Sequence, residues 1–113
     1  MRWAWLFALL LWGCSKGSEA DLPAIGEARS LGAEWALVNQ QAAAGKLTGA
    51  YTQTMRKQLR QQLRSAESSL TRPDSTYGEE IAALLRQPDN ASPQALRTHV
   101  AKLKQIEDSL ESA

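Results

Sequence analysis

Residues 51–70, YTQTMRKQLRQQLRSAESSL, decide the fold class of this chain of 113 residues. The apolar positions of the stretch are Tyr51, Met55, Leu59, Leu63, Ala66 and Leu70. Because an α-helix turns about 100° per residue, these intervals of three and four place them on one face. Thr48 is a suitable N-cap, and Arg72-Pro73 ends the segment because a residue before proline avoids helical backbone angles. The stretch therefore predicts an amphipathic helix with one buried face.

The helical spacing continues on the N-terminal side of this stretch. The main apolar positions there are Leu31, Trp35, Val38 and Ala42. They predict a helix over residues 22–44, with Asp21 placed to cap its start and Gly45 placed to end it. Trp35 is expected to be a core anchor. Since only a few residues separate this helix from the next, the two are expected to form an antiparallel hairpin.

Two further helices are predicted on the C-terminal side. The run Thr76-Tyr77-Gly78-Glu79 fits a capping box, in which Thr76 and Glu79 satisfy each other's backbone amides, and it opens a short helix that stops near Pro88. Ser92-Pro93 predicts the start of a last helix. The apolar face of that helix is marked by Leu96, Val100, Leu103, Ile106 and Leu110. Neither a strand pattern nor a hairpin-turn signal occurs in the sequence.

Each predicted helix is apolar on one face only, so the helices are expected to bury these faces against one another. The sequence thus predicts an all-α fold, a small antiparallel helical bundle of three to four helices within residues 22–113. In the alternative arrangement, the first two helices form a long hairpin that pairs with a second copy of the chain. This alternative is left open because the apolar stripe of the first helix is narrow and rich in alanine. The oligomeric state and the packing topology stay open at this level.

Charge and cysteine content exclude several classes of protein. The 13 basic and 12 acidic residues are balanced, which argues against a charged binding tail and gives no indication of a nucleic-acid partner. The single cysteine, Cys14, has no partner within the chain, so an internal disulfide is excluded.

The N-terminus has the pattern of an export signal. Residues 1–14 read MRWAWLFALLLWGC, in which Arg2 precedes an uninterrupted apolar run from Trp3 to Trp12. A short positive start followed by about ten apolar residues is typical of a secretory signal, whereas a membrane span needs about 20. The polar residues 15–21, SKGSEAD, are expected to form a flexible tether.

The end of the apolar run, Leu11-Trp12-Gly13-Cys14, resembles the lipobox of bacterial lipoproteins. Leu11, Gly13 and Cys14 match that pattern, while Trp12 stands where the family has a small residue. The resemblance covers only the signal and the cleavage site. It implies that residues 1–13 are removed, that Leu11 and Gly13 are recognised at the cleavage site, and that Cys14 carries acyl chains such as palmitate. An ordinary secretory signal with a chance cysteine is the alternative.

Acyl chains on Cys14 would anchor the protein, because two or more chains hold a protein stably at a membrane. The resemblance also implies a location on the periplasmic side of the cell envelope. Ser15, rather than aspartate, follows the cysteine, and in this family that residue favours the outer membrane over the inner one.

The sequence shows no catalytic or metal-binding motif, which predicts a protein that is not an enzyme and needs no cofactor. HExxH, CxxC, GxSxG and a glycine-rich phosphate loop do not occur, and the soft and nitrogen ligands of a zinc site are missing. Glu79 and Glu80 are adjacent, so on a helix their side chains diverge by about 100°. His99 lies at the edge of the last apolar face, where it is either a packed core-margin residue or a pH-sensitive group.

One polar feature repeats at the helical period, a ridge formed by Arg56, Arg60 and Arg64. Such a ridge is either a solvated face, partly neutralised by Glu67, or a surface for lipid headgroups, lipopolysaccharide phosphates or an acidic partner protein. The sequence as a whole predicts a lipid-anchored, non-enzymatic accessory or interaction module of the cell envelope. The alternatives are a binder of the envelope surface, an adaptor or inhibitor of an envelope enzyme, and a self-assembling structural lipoprotein.

Overall fold

A computed structural model describes residues 17–112 of the chain. A short 3-10 helix, Gly17–Asp21, is followed by four α-helices. These are α1 (Leu22–Ala43), α2 (Gly49–Ser68), α3 (Thr76–Leu85) and α4 (Pro93–Glu111). No strand occurs within residues 17–112. The prediction of a small all-α helical bundle is confirmed, whereas the predicted signal and lipobox lie outside the described residues.

The four helices pack in an antiparallel, up-and-down order. Arg29 of α1 contacts Glu107 of α4 at 2.7 Å, and Gln40 of α1 accepts a hydrogen bond of 2.5 Å from Arg97 of α4. Residue numbers therefore increase along α1 in the direction in which they decrease along α4, so the two helices are antiparallel. With 10 residues, α3 is only about 15 Å long, while α1 with 22 residues extends about 33 Å. As a result, α3 covers one end of the bundle and leaves part of α2 open.

All four helices contribute to one hydrophobic core. Its largest fully buried apolar side chains are Ile25, Trp35, Leu63, Ile81, Leu84, Leu96 and Leu103. The predicted stripe of the second helix is buried from Leu59 onward. Tyr51, at its start, is instead 51 % exposed. The reason is that α3 ends beside Arg60, so nothing from α3 reaches the first turns of α2.

The α1–α2 hairpin follows the predicted local signals. Gly45 adopts a φ of 74°, and its amide donates to Ala42 O at 3.0 Å while the Lys46 amide donates to Gln41 O at 3.0 Å. This is a Schellman motif, in which a left-handed glycine lets the chain satisfy the last helical carbonyls. Thr48 Oγ1 then accepts from the Tyr51 amide at 3.1 Å and caps α2. Gly45 and Thr48 thus have the predicted roles.

Two predicted helix caps are wrong, although α1 starts at residue 22 as predicted. The cap of α3 is Ser75 rather than Thr76, because the Gly78 amide donates to Ser75 Oγ at 3.1 Å. The third helical position is therefore Gly78, where a Cβ atom would lie 2.2 Å from Pro73 O, and Glu79 cannot close the predicted capping box. Asp21 occupies the N-cap position of α1, but its side chain makes no cap hydrogen bond.

Residues 17–21 also differ from the predicted flexible tether. They form the 3-10 helix, and Asp21 is only 1 % exposed. The physical reason is that its carboxylate is held by the loop between α2 and α3, a partner 50 residues away in the sequence. By contrast, the predicted start of the last helix at Ser92-Pro93 is confirmed by a hydrogen bond of 3.1 Å from the Ala95 amide to Ser92 Oγ.

Candidate functional site

A basic groove lies along α2, beside the end of α3 and the loop before α4. Its lining consists of Gln53, Arg56, Lys57, Arg60 and Arg64 from α2, together with Asp89 from the loop before α4. The groove is open to solvent and encloses about 400 Å³. Because its helical positions recur every three or four residues, they share one face of α2. The structure thus brings Arg56, Arg60 and Arg64 together, as the sequence predicted, and adds Gln53, Lys57 and Asp89.

Arg60 is built into the bundle. Its Nη2 donates to Leu85 O at 2.6 Å and its Nη1 to Gln87 O at 2.8 Å, and its guanidinium lies 5.0 Å from the centre of the Trp35 ring. These carbonyls belong to the C-terminal end of α3, where a cation is electrostatically favourable and satisfies acceptors that the helix leaves unpaired. Only 19 % of the Arg60 side chain is exposed. Its main role is therefore to cap α3.

Arg56 is oriented by a buried hydrogen-bond network. Its Nε donates to Asn39 Oδ1 at 2.8 Å. Asn39 in turn donates through Nδ2 to Asp89 O at 3.0 Å and to Ala91 O at 2.8 Å, and Trp35 Nε1 also donates to Asp89 O at 3.0 Å. These bonds tie the loop before α4 to α1 and α2. Sequence reasoning missed Asn39, although a polar residue beside the apolar stripe of α1 was the available signal.

Lys57 and Arg64 differ from their neighbours. Both are exposed, and neither side chain makes a hydrogen bond or an ion pair with another described residue. Their charges add to a local excess, because α2 carries four basic residues and one acidic residue, Glu67, while the charged residues of α3 are two glutamates. The basic groove therefore contains two fixed arginines, Arg56 and Arg60, and two solvent-exposed cations, of which Arg64 belongs to the predicted ridge and Lys57 does not.

A second polar cluster joins α3 to α4. His99 Nδ1 contacts Glu80 Oε2, and His99 Nε2 lies 3.3 Å from Gln87 Nε2. Glu79, next to Glu80, is exposed and points elsewhere. Both ring nitrogens of His99 thus have partners, as expected for a histidine packed at a core margin. Sequence alone could not pair His99 with Glu80, because the contact depends on how α3 packs.

A third polar cluster closes the end of the bundle where the described chain begins. Asp21 accepts hydrogen bonds from the Thr71 amide at 2.8 Å, Thr71 Oγ1 at 3.0 Å, the Arg72 amide at 3.1 Å and Tyr77 Oη at 2.5 Å. Burial by itself raises the pKa of Asp21, but these hydrogen bonds outweigh it and hold the pKa below its ordinary value of 3.8. Burial and the bond to Asp21 raise the pKa of Tyr77 above 10.0. The carboxylate thus stays charged and fixed.

Residues 17–112 contain neither a metal-binding cluster nor a helix able to span a membrane. This part of the chain holds no group of three or more histidine, cysteine, aspartate or glutamate side chains able to bind a metal ion. None of its helices combines the length and the apolar character needed to cross a membrane. Leu11, Gly13 and Cys14, predicted as cleavage and lipidation residues, lie outside the described residues.

Comparison with known proteins adds no relative. No protein-family model, curated protein or solved structure matches this chain.

Proposed function

We propose that this protein is a lipid-anchored lipoprotein of the bacterial cell envelope, in which the helical bundle acts as a non-enzymatic accessory or interaction module. One observation carries the proposal: the only cysteine of the chain directly follows Gly13, at the end of an apolar run too short to span a bilayer. A cysteine without a disulfide partner, in that position, is explained if it carries the acyl chains.

The geometry of the first described residues indicates which end of the bundle an anchor at Cys14 would hold. Three peptide units join Cys14 to Gly17, and they reach at most about 11 Å. Asp21 is fixed against Thr71, Arg72 and Tyr77. Acyl chains on Cys14 would therefore hold this end of the bundle close to the membrane, while the hairpin at Gly45 would lie toward the far end of a molecule 56 Å long.

The polar clusters around His99 and Asp21 are used to hold the bundle together. A catalytic histidine needs one nitrogen directed at the reacting group, but His99 has both nitrogens engaged, by Glu80 and Gln87. Asp21 is likewise surrounded by its four donors. In both clusters the polar atoms join helices, which is a structural use.

The proposal is tested by replacing the cysteine. Cells producing the wild type or Cys14→Ala are grown with an alkyne analogue of palmitate and separated into membrane and soluble fractions. The wild type should be labelled and membrane-bound, whereas Cys14→Ala should carry no label and should either become soluble or accumulate as an uncut precursor. Equal, label-free behaviour of the two proteins would refute the anchor.

The same fractionation distinguishes the outer from the inner membrane. We propose the outer membrane, on the basis of Ser15. Wild-type protein should then sediment with outer-membrane vesicles on a sucrose gradient, and Ser15→Asp should shift labelled protein to the inner-membrane fraction. Retention of the labelled wild type in the inner membrane would contradict this location without affecting the anchor itself.

A further inference from the structure

We propose that the basic groove on α2 is a binding site for phosphate groups. The inference concerns the bundle itself, so it holds whether or not Cys14 is acylated. It starts from the segregation of charge: residues 17–112 contain 11 basic and 12 acidic residues, yet four of the basic residues line one groove along α2. A cluster of one charge sign in a concave surface raises the local concentration of the opposite ion.

Two of the cations are held in place before any ligand arrives. Arg56 is fixed through Nε by Asn39, while its Nη1 and Nη2 atoms have no acceptor among the described residues. Arg60 is fixed by the end of α3 and by Trp35, so it contributes positive charge rather than new hydrogen bonds. Because ordering a long side chain opposes binding, arginines that are already ordered favour it.

The two exposed cations complete the donor set. Lys57 and Arg64 are exposed and able to turn toward a ligand. Along the helix axis, Arg56 and Arg64 are about 12 Å apart at 1.5 Å per residue, which leaves room for more than one phosphate. A phosphate presents three or more acceptor oxygens in different directions, whereas a carboxylate presents two in one plane and suits a single arginine. Several cations diverging from one helix therefore favour phosphate.

Asp89 is the one acidic residue in the groove. Its carboxylate lies 3.5 Å from Arg60 Nε and is 67 % exposed, whereas the contacts that stabilise the loop are made by its backbone carbonyl. This negative charge would repel an incoming phosphate. Replacing Asp89 with asparagine should remove the repulsion and leave the loop intact.

The test uses the full chain in a neutral detergent, titrated with inorganic phosphate and with pyrophosphate and followed by NMR of the arginine Nε–Hε signals. We expect saturable shifts of Arg56 and Arg64. Lys57→Gln combined with Arg64→Gln should weaken binding about 30-fold, because each basic residue near an anionic group changes the dissociation constant by about a factor of five. Asp89→Asn should strengthen binding about two- to fivefold.

A matched control changes the same net charge elsewhere. Lys102→Gln combined with Lys104→Gln removes two exposed lysines from α4 and should leave phosphate binding within about twofold. If the control and the groove variant weaken binding equally, the effect is one of net charge and the proposal is overturned. Circular dichroism of each variant verifies that the helices are retained.

Two further titrations identify the source of the phosphate and the rival ligand. Mixed micelles of phosphatidylglycerol, compared with phosphatidylcholine, show whether anionic lipid headgroups shift the Arg64 signal. A shift there, or with free phosphate or pyrophosphate, supports the site and names its source. Hexaglutamate represents an acidic peptide. Binding of hexaglutamate with no response to any phosphate probe would overturn the proposal in favour of an acidic protein partner. No response to any probe would also overturn it and would mean that the groove is an ordinary solvated face.

Discussion

At the scale of single residues, equal spacing on a helix does not give equal roles. Arg60 and Arg64 are one turn apart on the same face of α2, yet Arg60 caps α3 and stacks on Trp35 while Arg64 is exposed. The difference arises because α3 ends beside Arg60. The sequence predicted the row of arginines correctly, but their division into structural and accessible members depends on where another helix stops.

The capping role of Arg60 gives the first prediction. Arg60→Gln should lower the free energy of unfolding by about 2 kcal/mol, because it leaves the carbonyls of Leu85 and Gln87 without their charged donor. Arg64→Gln, with the same change of residue type on an exposed position, should stay within about 0.5 kcal/mol of the wild type. Urea unfolding followed by circular dichroism compares the two. Similar losses for both variants would contradict the cap.

Asp21 and Tyr77 together define a pH window of stability. The pKa of Asp21 is lowered from 3.8 in the folded state, so its stabilisation is full above that pH and is lost as pH falls through the lower folded value. The pKa of Tyr77 is raised from 10.0, so its stabilisation is full below that pH and is lost as pH rises through the higher folded value. The pair therefore stabilises the fold across the neutral range.

Replacing the carboxylate tests this window. Asp21→Ala should cost about 3 kcal/mol near neutral pH, because buried donors lose a charged acceptor, and its stability should fall less steeply than that of the wild type below about pH 4. Tyr77→Phe should cost less free energy of unfolding and should remove the loss of stability at alkaline pH that Tyr77 causes. Because the bond from Tyr77 also helps to lower the pKa of Asp21, this variant should also lose stability less steeply at acid pH. Denaturant midpoints measured across pH provide the comparison. If Asp21→Ala lost stability at acid pH as steeply as the wild type, other carboxylates would be the cause of that loss.

At the scale of elements, the helices were predictable and some of their ends were not. Periodicity identified all four helices, and the local signals at Gly45, Thr48 and Ser92 were correct because their hydrogen bonds lie within a few residues. Asp21 was misjudged because its partners are 50 or more residues away. The start of α3 was misjudged because the preceding loop folds back over Gly78. Local chemistry is visible in a sequence, whereas such tertiary contacts are not.

The contact at Gly78 gives the prediction at this scale. Gly78→Ala should destabilise the bundle by about 3 kcal/mol, since its Cβ would lie 2.2 Å from the backbone oxygen of Pro73 and the loop would have to move. Gly49→Ala, at the first residue of α2 with open space around it, should instead stabilise by about 0.5 kcal/mol. Thermal unfolding distinguishes the two glycines. A Gly78→Ala protein as stable as the wild type would mean that the loop does not hold α3.

At the scale of the whole molecule, the bundle presents two different ends and one charged side. The end closed by Asp21 is the one nearest Cys14 in the sequence, and the hairpin around Gly45 lies at the other end. Between them, the buried residues of α1 and those of α2 from Leu59 onward pack into one core with α3 and α4 of the same chain, as in a bundle. The basic groove lies on the side, so an anchored bundle would carry it above the membrane surface.

This arrangement predicts an orientation on the proposed anchor. In vesicles of phosphatidylcholine, where the groove meets no net negative charge, a nitroxide on Asp74→Cys should be more accessible to nickel bound at the headgroups than a nitroxide on Lys46→Cys. Asp74 lies in the loop beside the Asp21 cluster and Lys46 in the hairpin, about 30 Å apart at 1.5 Å per residue of α2. Electron paramagnetic resonance measures both accessibilities. Adding Asp21→Ala should reduce the contrast, because the segment that joins the anchor to the bundle is then released. Equal accessibility with Asp21 intact would mean that the fixed segment does not orient the bundle.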